Sequence, residues 1–365
     1  MKIECVKSKI TNLLQKIERV AGKTQNLPIL GCFLLQVVNG KLVISSTNLD
    51  LGVIGEVSVR VLKEGRVAVP VSVLSSLLTQ LPQEGNVLFE SAAGVFEVIT
   101  KQTKTSIKTL NPDDFPNIPK TEGSPITLPA QDFIKGLRAV WYAAAISSMK
   151  PELSSVYIHY DQKNLVFAAT DSFRLAEKKI PVKKITDFHP LLIPFKNVSD
   201  TIRLFEDYRG DLEIVINKNQ ISFWGGEVYV VSRLVEGTFP DYEQIVPKTE
   251  KTEAVVLKQD FVSALKIATI FSNTFHQVGF LLSPNKKAFE LETYNEHVGK
   301  NTMKLDAVLK GEELSMNFNH RYITDCFQSI AADSLLLRFN GPHKPLVVQG
   351  VGDQSFTYLV MPMNR

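Results

Sequence analysis

The sequence predicts an α+β chain made of three divergent modules, each running strands, helix, strands, helix, strands. A short polar break inside a β-rich stretch recurs at one spacing: Thr47 in Val43-Ile44-Ser45-Ser46-Thr47-Asn48, Thr170 in Val166-Phe167-Ala168-Ala169-Thr170-Asp171, and Thr293 in Phe289-Glu290-Leu291-Glu292-Thr293-Tyr294, 123 residues apart each time. Phe115-Pro116 and Phe239-Pro240 are 124 apart, as are Pro70 and Pro194, each of which opens a helical stretch. Apolar spacing also switches between helical and alternating in the same order along each module. The implied modules are residues 1–120, 125–247 and 248–365.

Each module begins with a strand that leads into an amphipathic helix. The first helices are predicted over Ile10 to Val20, with Leu13, Leu14 and Ile17 on one face, over Ala130 to Ala145, with Phe133, Ile134, Leu137 and Val140, and over Gln259 to Ile270, with Phe261, Val262, Leu265 and Ala268. Alternating strands follow. In Phe33 to Ile44 they flank Asn39-Gly40, a strong signal for a two-residue hairpin turn, and Tyr157 to Phe167 and Gly279 to Leu291 repeat the pattern. Second helices are predicted over Val71 to Leu81, Phe195 to Phe205 and His320 to Ile330, before strands such as Asn86 to Phe89, Leu212 to Ile216 and Ser334 to Phe339.

The 365 residues are 44% hydrophobic and 22% charged, an ordinary globular composition that excludes a disordered, collagenous or disulfide-scaffold chain. No apolar run approaches a membrane span and the N-terminus alternates polar with apolar, so a soluble, unexported, cytoplasmic protein is expected. Cys5, Cys32 and Cys326 are too few and too scattered for a disulfide framework or zinc site. Lys and Arg number 41 against 38 Asp and Glu, so any phosphate partner must be met by locally concentrated cations.

Catalytic patterns are missing. Gly22-Lys23-Thr24 resembles the end of a P-loop, but Ile17 stands where the first glycine is needed and the segment follows a helix. The six histidines form no metal-ligating pair, no serine lies in a nucleophile elbow, and Asp113-Asp114 in Asn111-Pro112-Asp113-Asp114-Phe115-Pro116 reads as an inter-module turn. No catalytic residue, metal or cofactor is expected. Opposite the apolar stripes, the first helices carry Asn12, Gln15, Lys16 and Arg19, then Lys135 and Arg138, then Ser263 and Lys266. The second helices carry Ser72, Ser75, Ser76 and Thr79, then Lys196, Asn197 and Arg203, then Arg321, Thr324 and Gln328. This mixture suits loose phosphate contact and lacks the clustered groups that read base edges.

Four segments, Asn26-Leu27-Pro28-Ile29-Leu30-Gly31, Ala169-Thr170-Asp171-Ser172-Phe173-Arg174-Leu175-Ala176, Gly237-Thr238-Phe239-Pro240-Asp241-Tyr242 and Val360-Met361-Pro362-Met363, resemble in order the signatures of the bacterial DNA polymerase III beta subunit family, the replicative sliding clamps. The resemblance implies a head-to-tail homodimer closed into a ring, with helices around a central hole for duplex DNA and sheets outside. It further implies tethering of the DNA polymerase III alpha subunit, the clamp-loader complex, other polymerases and repair proteins through short linear peptides. Lys196 matches a DNA-contacting lysine of the family. Helical facing adds Lys16, Arg19, Lys23, Lys135, Arg138, Lys266, Arg203 and Arg321 to the expected inner surface.

By the same resemblance, the peptide site is Leu153, Thr170, Phe173, Arg174, Leu175, Pro240, Ile245, Phe275, Val360, Met361, Pro362 and Met363, an adaptable apolar groove with Arg174 as a polar rim. The ring joint is expected to set Thr105 and Ile107 against Ile270 and Phe271 of a second copy, with Lys101 and Lys104 facing acids such as Glu296. Ser172 and Phe173 replace the family's common glycine and histidine, and Gln244 stands where arginine is frequent. Two other readings are a specialised clamp homologue outside the main replisome and a three-module enzyme or small-molecule binder. The missing catalytic motifs count against the latter.

Overall fold

A computed structural model describes residues 1–22, 27–82, 85–147, 149–186, 188–247 and 249–363. Their contacts divide the chain into two compact bodies, one of residues 1–134 and 196–234, the other of residues 135–195 and 235–365.

The first body holds two antiparallel sheets. A five-stranded sheet runs Arg60–Lys63, Lys2–Val6, Asn86–Ala92, Val95–Ile99, Lys104–Lys108. An eight-stranded sheet joins strands of two modules, in the order Ile126–Pro129, Asp211–Ile216, Gln220–Gly225, Val228–Arg233, Leu51–Ser58, Lys41–Thr47, Cys32–Val38, Arg66–Pro70. The junction is a regular ladder from Val228 opposite Gly55 to Ser232 opposite Leu51. Helices α1 (Lys7–Ile17) and α2 (Val71–Gln80) pack together, and Ile10, Leu13, Leu14 and Ile17 are buried as the spacing predicts. Gly55 is required here, because an added Cβ would lie 2.6 Å from Leu13 Cδ1. Asn39 and Gly40 both take positive φ, 52° and 76°, between the paired Val38 and Lys41, giving the expected hairpin turn.

In the second body a nine-stranded sheet runs Leu191–Pro194, Ser155–Tyr160, Asn164–Thr170, Arg174–Pro181, Phe356–Val360, Leu346–Gly350, Ser334–Phe339, Thr252–Leu257, Ala307–Gly311. Strands of modules two and three meet where Arg174 pairs with Val360 and Lys178 with Phe356. The buried Lys178 ammonium donates to Ser355 Oγ at 2.6 Å beside Asp353, which ties the same two segments together. A four-stranded sheet runs Gly299–Leu305, Ala288–Asn295, Gln277–Ser283, Leu314–Asn319. Under it lie Phe261, Phe280, Phe289 and Phe318, with Phe261 on helix α5 (Lys258–Ile270). Helix α3 (Ala130–Val140) crosses from one body to the other, and α4 (Phe195–Phe205) belongs to the first body from Lys196 onward. Helix α6 (His320–Asp325) continues as a 3-10 turn, Cys326–Ser329, so the helix predicted to Ile330 is tightened halfway.

The recurring polar break is an Asx turn. Thr47 donates to Leu51 O at 2.9 Å and accepts from Leu49 N, while Asn48 Oδ1 accepts from Asp50 N and Leu51 N. Thr170 and Asp171 repeat the same four bonds around Ser172, Phe173 and Arg174. Leu49 and Ser172, the third residue of each turn, have φ of 78° and 77°. The third copy departs: the strand continues past Thr293, and Asn295 makes the turn by accepting from His297 N and Val298 N.

Two residues placed on the polar helix faces by spacing turn inward. Ser75 is buried, and Asn197 is buried with its amide donating to Ser232 Oγ at 2.9 Å and Asp50 O at 3.2 Å. Asp113 and Asp114 form the inter-module turn expected, with Asn111 capping Asp113 N and Arg66 paired to Asp113.

Candidate functional site

The second body places one set of the expected groove residues together through strand pairing. Arg174 and Leu175 face Val360 and Leu359 across the ladder, and Met361 N then donates to Phe173 O at 2.8 Å. Met363 N donates to Asn317 O at 2.8 Å, so the terminal segment crosses from one sheet to the other. Across all the expected groove residues the side chains divide. Leu153, Thr170, Leu175 and Val360 are buried, whereas Phe173 (60%), Ile245 (49%), Phe275 (69%), Met361 (37%) and Pro240 are exposed, with Pro362 and Met363 half-buried. Pro240 and Ile245 bracket the 3-10 turn Tyr242–Ile245, whose Tyr242 and the adjacent Phe239 pack on Ala168, Leu175, Leu192, Val347 and Leu359. Phe275 stands on the turn that Asn273 holds by accepting from Phe275 N and Gln277 N.

Arg174 is not the polar rim expected from sequence. Its side chain is only 9% exposed, and its donors reach inward: Nε to Asp171 Oδ2 at 3.0 Å, one terminal nitrogen to Asp325, the other to Tyr142 O at 2.7 Å. The guanidinium also lies 4.7 Å from the centre of the Tyr322 ring, a cation–π contact. Phe173 lies nearly parallel to that ring, at 16° with centroids 6.4 Å apart. Tyr358 donates to Tyr322 O at 2.7 Å, and Tyr142 lies 3.0 Å from Ser329 Oγ, which donates to Ala139 O. Burial pushes the Tyr142 and Tyr358 phenols well above their usual range, so both stay neutral hydrogen-bonding groups.

A second network fixes the Tyr242 turn. The Tyr242 hydroxyl donates to Glu177 Oε2 at 2.7 Å, and His159 Nε2 lies 3.4 Å from the same hydroxyl. Burial and then the Glu177 carboxylate raise the Tyr242 phenol, while burial lowers His159 despite nearby acids. Sequence reasoning missed Tyr142, Glu177, Tyr242, Tyr322, Asp325 and Tyr358 as groups that shape the site. Their signal is spatial, since they lie up to 187 residues from the partners they bond.

Three models of the DNA polymerase III beta subunit match the chain in order: the N-terminal domain over residues 1–119, the central domain over 127–241 and the C-terminal domain over 243–364. The chain belongs to the DNA polymerase III beta subunit family. Beta sliding clamps of Synechococcus elongatus and Escherichia coli K12 are each 25% identical to it, over all of this chain and 99% and 100% of theirs. Among solved structures, a sliding clamp from Bartonella birtlesii bound to griselimycin is similar with a TM-score of 0.95, 26% identity and full coverage of both chains. The Pseudomonas aeruginosa clamp bound to the same compound also reaches 0.95 at 22% identity and full coverage of both chains. The fold is thus that of the beta subunit clamps, three clamp domains built, among the described residues, from six α-helices and antiparallel sheets.

The cationic residues expected to meet DNA are exposed wherever they are described. In the first body these are Lys16, Arg19, Lys196 and Arg203, in the second Lys135, Arg138, Lys266 and Arg321; Lys23 lies outside the described residues, as does Asn26 of the first signature segment. Arg19 and Arg203 line one cavity of about 650 Å³ together with Glu18, Asp200 and the start of α2. Burial raises the Asp200 carboxyl, and Arg203 and Arg19 oppose that rise.

Of the four residues expected at the ring joint, Ile107 is buried at 5% exposure inside its own sheet, opposite Phe96, because alternate residues of the strand face the core. It therefore cannot offer an exposed side chain. Thr105 and Phe271 are half-buried, and Ile270 is 64% exposed. Lys104 meets Glu97 on the adjacent strand at 3.0 Å and its side chain is exposed. Both Lys104–Lys108 and Gly299–Leu305 are edge strands of their sheets.

Proposed function

We infer that this chain is a bacterial sliding clamp, a processivity subunit that encircles duplex DNA without reading its sequence and tethers the DNA polymerase III alpha subunit for continuous synthesis. The observation that carries this reading is the ordered match of all three beta subunit domains along the chain. The clamp works in the bacterial cytoplasm as a homodimeric ring and has no catalytic site of its own. Among the described residues no helix is long and apolar enough to cross a membrane.

A closed ring holds DNA by topology, so its inner surface needs only weak, exchangeable phosphate contacts. Strong contacts would raise the barrier to sliding. Lys16, Arg19, Lys23, Lys135, Arg138, Lys196, Arg203, Lys266 and Arg321 supply that surface in this reading, and the exposure of all but Lys23, which is not described, supports it. The joint forms between copies at the two bodies' sheet edges, Lys104–Lys108 and Gly299–Leu305, with Thr105, Ile270 and Phe271 packed around the seam and Ile107 filling the core beneath it.

Polymerase, clamp loader and repair proteins dock by short peptides on the second body. Phe173, Pro240, Ile245, Phe275, Met361, Pro362 and Met363 meet the peptide, while Leu153, Thr170, Leu175 and Val360 form the apolar bed beneath. The test is retention on DNA after loading. Nicked circular DNA should hold the clamp through gel filtration and the same DNA linearised should release it; equal release from both would reject the ring.

A further inference from the structure

We propose that Phe173 and Tyr322 form an aromatic shelf that makes this groove select partner peptides with an aromatic anchor over an aliphatic one, and that Arg174 and Asp325 are positioning residues for that shelf. This rests on the peptide-groove reading and deepens it.

Phe173 is 60% exposed and Met361, bonded to it through the backbone, is 37% exposed, so adjoining apolar residues are left open for a partner to cover. It is nevertheless held firmly. Asp171 Oδ1 accepts from its N–H at 3.0 Å, Met361 N donates to its carbonyl, and its ring lies nearly parallel to Tyr322. Tyr322 is fixed in turn by the Tyr358 hydroxyl on its carbonyl and by the Arg174 guanidinium at 4.7 Å from its ring. Arg174 spends its hydrogen bonds on Asp171, Asp325 and Tyr142, so it orients the two rings and leaves recognition to them.

The surface bound to this frame is therefore an exposed phenyl ring, a half-buried phenol ring beside it and the exposed Met361, whose backbone is bonded to Phe173. An incoming aromatic side chain gains ring–ring and sulfur–aromatic contacts there, whereas a leucine of similar area gains burial alone. Because the rings are already ordered, little conformational freedom is lost on binding.

The experiment uses the full-length chain and two fluorescein-labelled peptides that differ only at the anchor, phenylalanine in one and leucine in the other, built on a sequence first shown to bind the Escherichia coli clamp. Anisotropy should give roughly 3- to 10-fold tighter binding of the phenylalanine peptide. Phe173→Leu should bring that ratio close to one, and Phe173→Trp should preserve it. Asp325→Asn should lower the ratio as well, a change that loss of fold stability alone would not produce. Binding of both peptides with a ratio near one in the unaltered protein, or a ratio unmoved by Phe173→Leu, would overturn the shelf and leave the groove standing. Failure of both peptides to bind would overturn the groove reading and the shelf with it.

Discussion

Ser172 sits at φ +77° in the Asx turn that delivers Phe173 and Arg174, a backbone region that disfavours residues with a Cβ. Leu49 occupies the matching place in the first copy at +78°. Replacing either with glycine removes roughly 1–2 kcal/mol of steric cost, partly offset by the freer unfolded chain, so each should gain about 0.5–1 kcal/mol of stability in urea unfolding. Ser172→Val should lose stability by a similar amount. His320 behaves oppositely to an ion-paired histidine: burial first, then His276 and Arg321, push it down to about 4 from 6.5. The unfolded chain then binds more protons than the folded one between these values. Stability from this group is complete above about pH 6.5 and is lost as pH falls towards 4. His320→Gln should flatten that part of the profile of unfolding midpoint against pH; an unchanged slope would assign it to the carboxylates.

At the scale of elements, the Arg174 staple joins the turn after strand Asn164–Thr170 to helix α6 through Asp171 and Asp325. Arg174→Met should cost roughly 2–3 kcal/mol, the lower part of the range for removing one partner of a buried pair, because Asp325 is partly open to water. Thermal unfolding reads that cost. Helices and hairpins were legible in sequence because periodicity and turn chemistry are local: α4 runs Phe195–Phe205 as its apolar spacing requires, and Asn39-Gly40 makes its turn. The groove was legible only as motifs. Spacing cannot tell that Arg174 turns inward, since its acceptors Asp325 and Tyr142 O come from distant segments, nor that Asn197 leaves the polar face of α4 for Ser232. Ile107 shows the same limit: an apolar residue on an edge strand fits a joint or a core equally well until the pleat is known.

For the whole molecule, light scattering across a dilution series should give about twice the 40.8 kDa of one chain, and Ile270→Asp should shift that mass towards the monomer. Lys196→Glu combined with Arg203→Glu should slow loading onto circular DNA while peptide affinity stays within error. Unchanged loading would remove both residues from the DNA-facing surface. Phosphate contact of the kind proposed acts through counterion release, so the deficit should widen at low salt.

The strand ladders that cross repeat boundaries bear on how such chains can be recombined. Val228–Arg233 pairs with Leu51–Ser58, and Arg174–Pro181 pairs with Phe356–Val360, so both sheets of the central repeat continue into a neighbouring repeat. Cut out alone as residues 125–247, it would carry two bare strand margins and self-associate. Chimeras with another bacterium's clamp should therefore graft whole packing bodies, with crossovers beside Ile134, Phe195 and Leu234, in preference to splicing at the linkers between repeats.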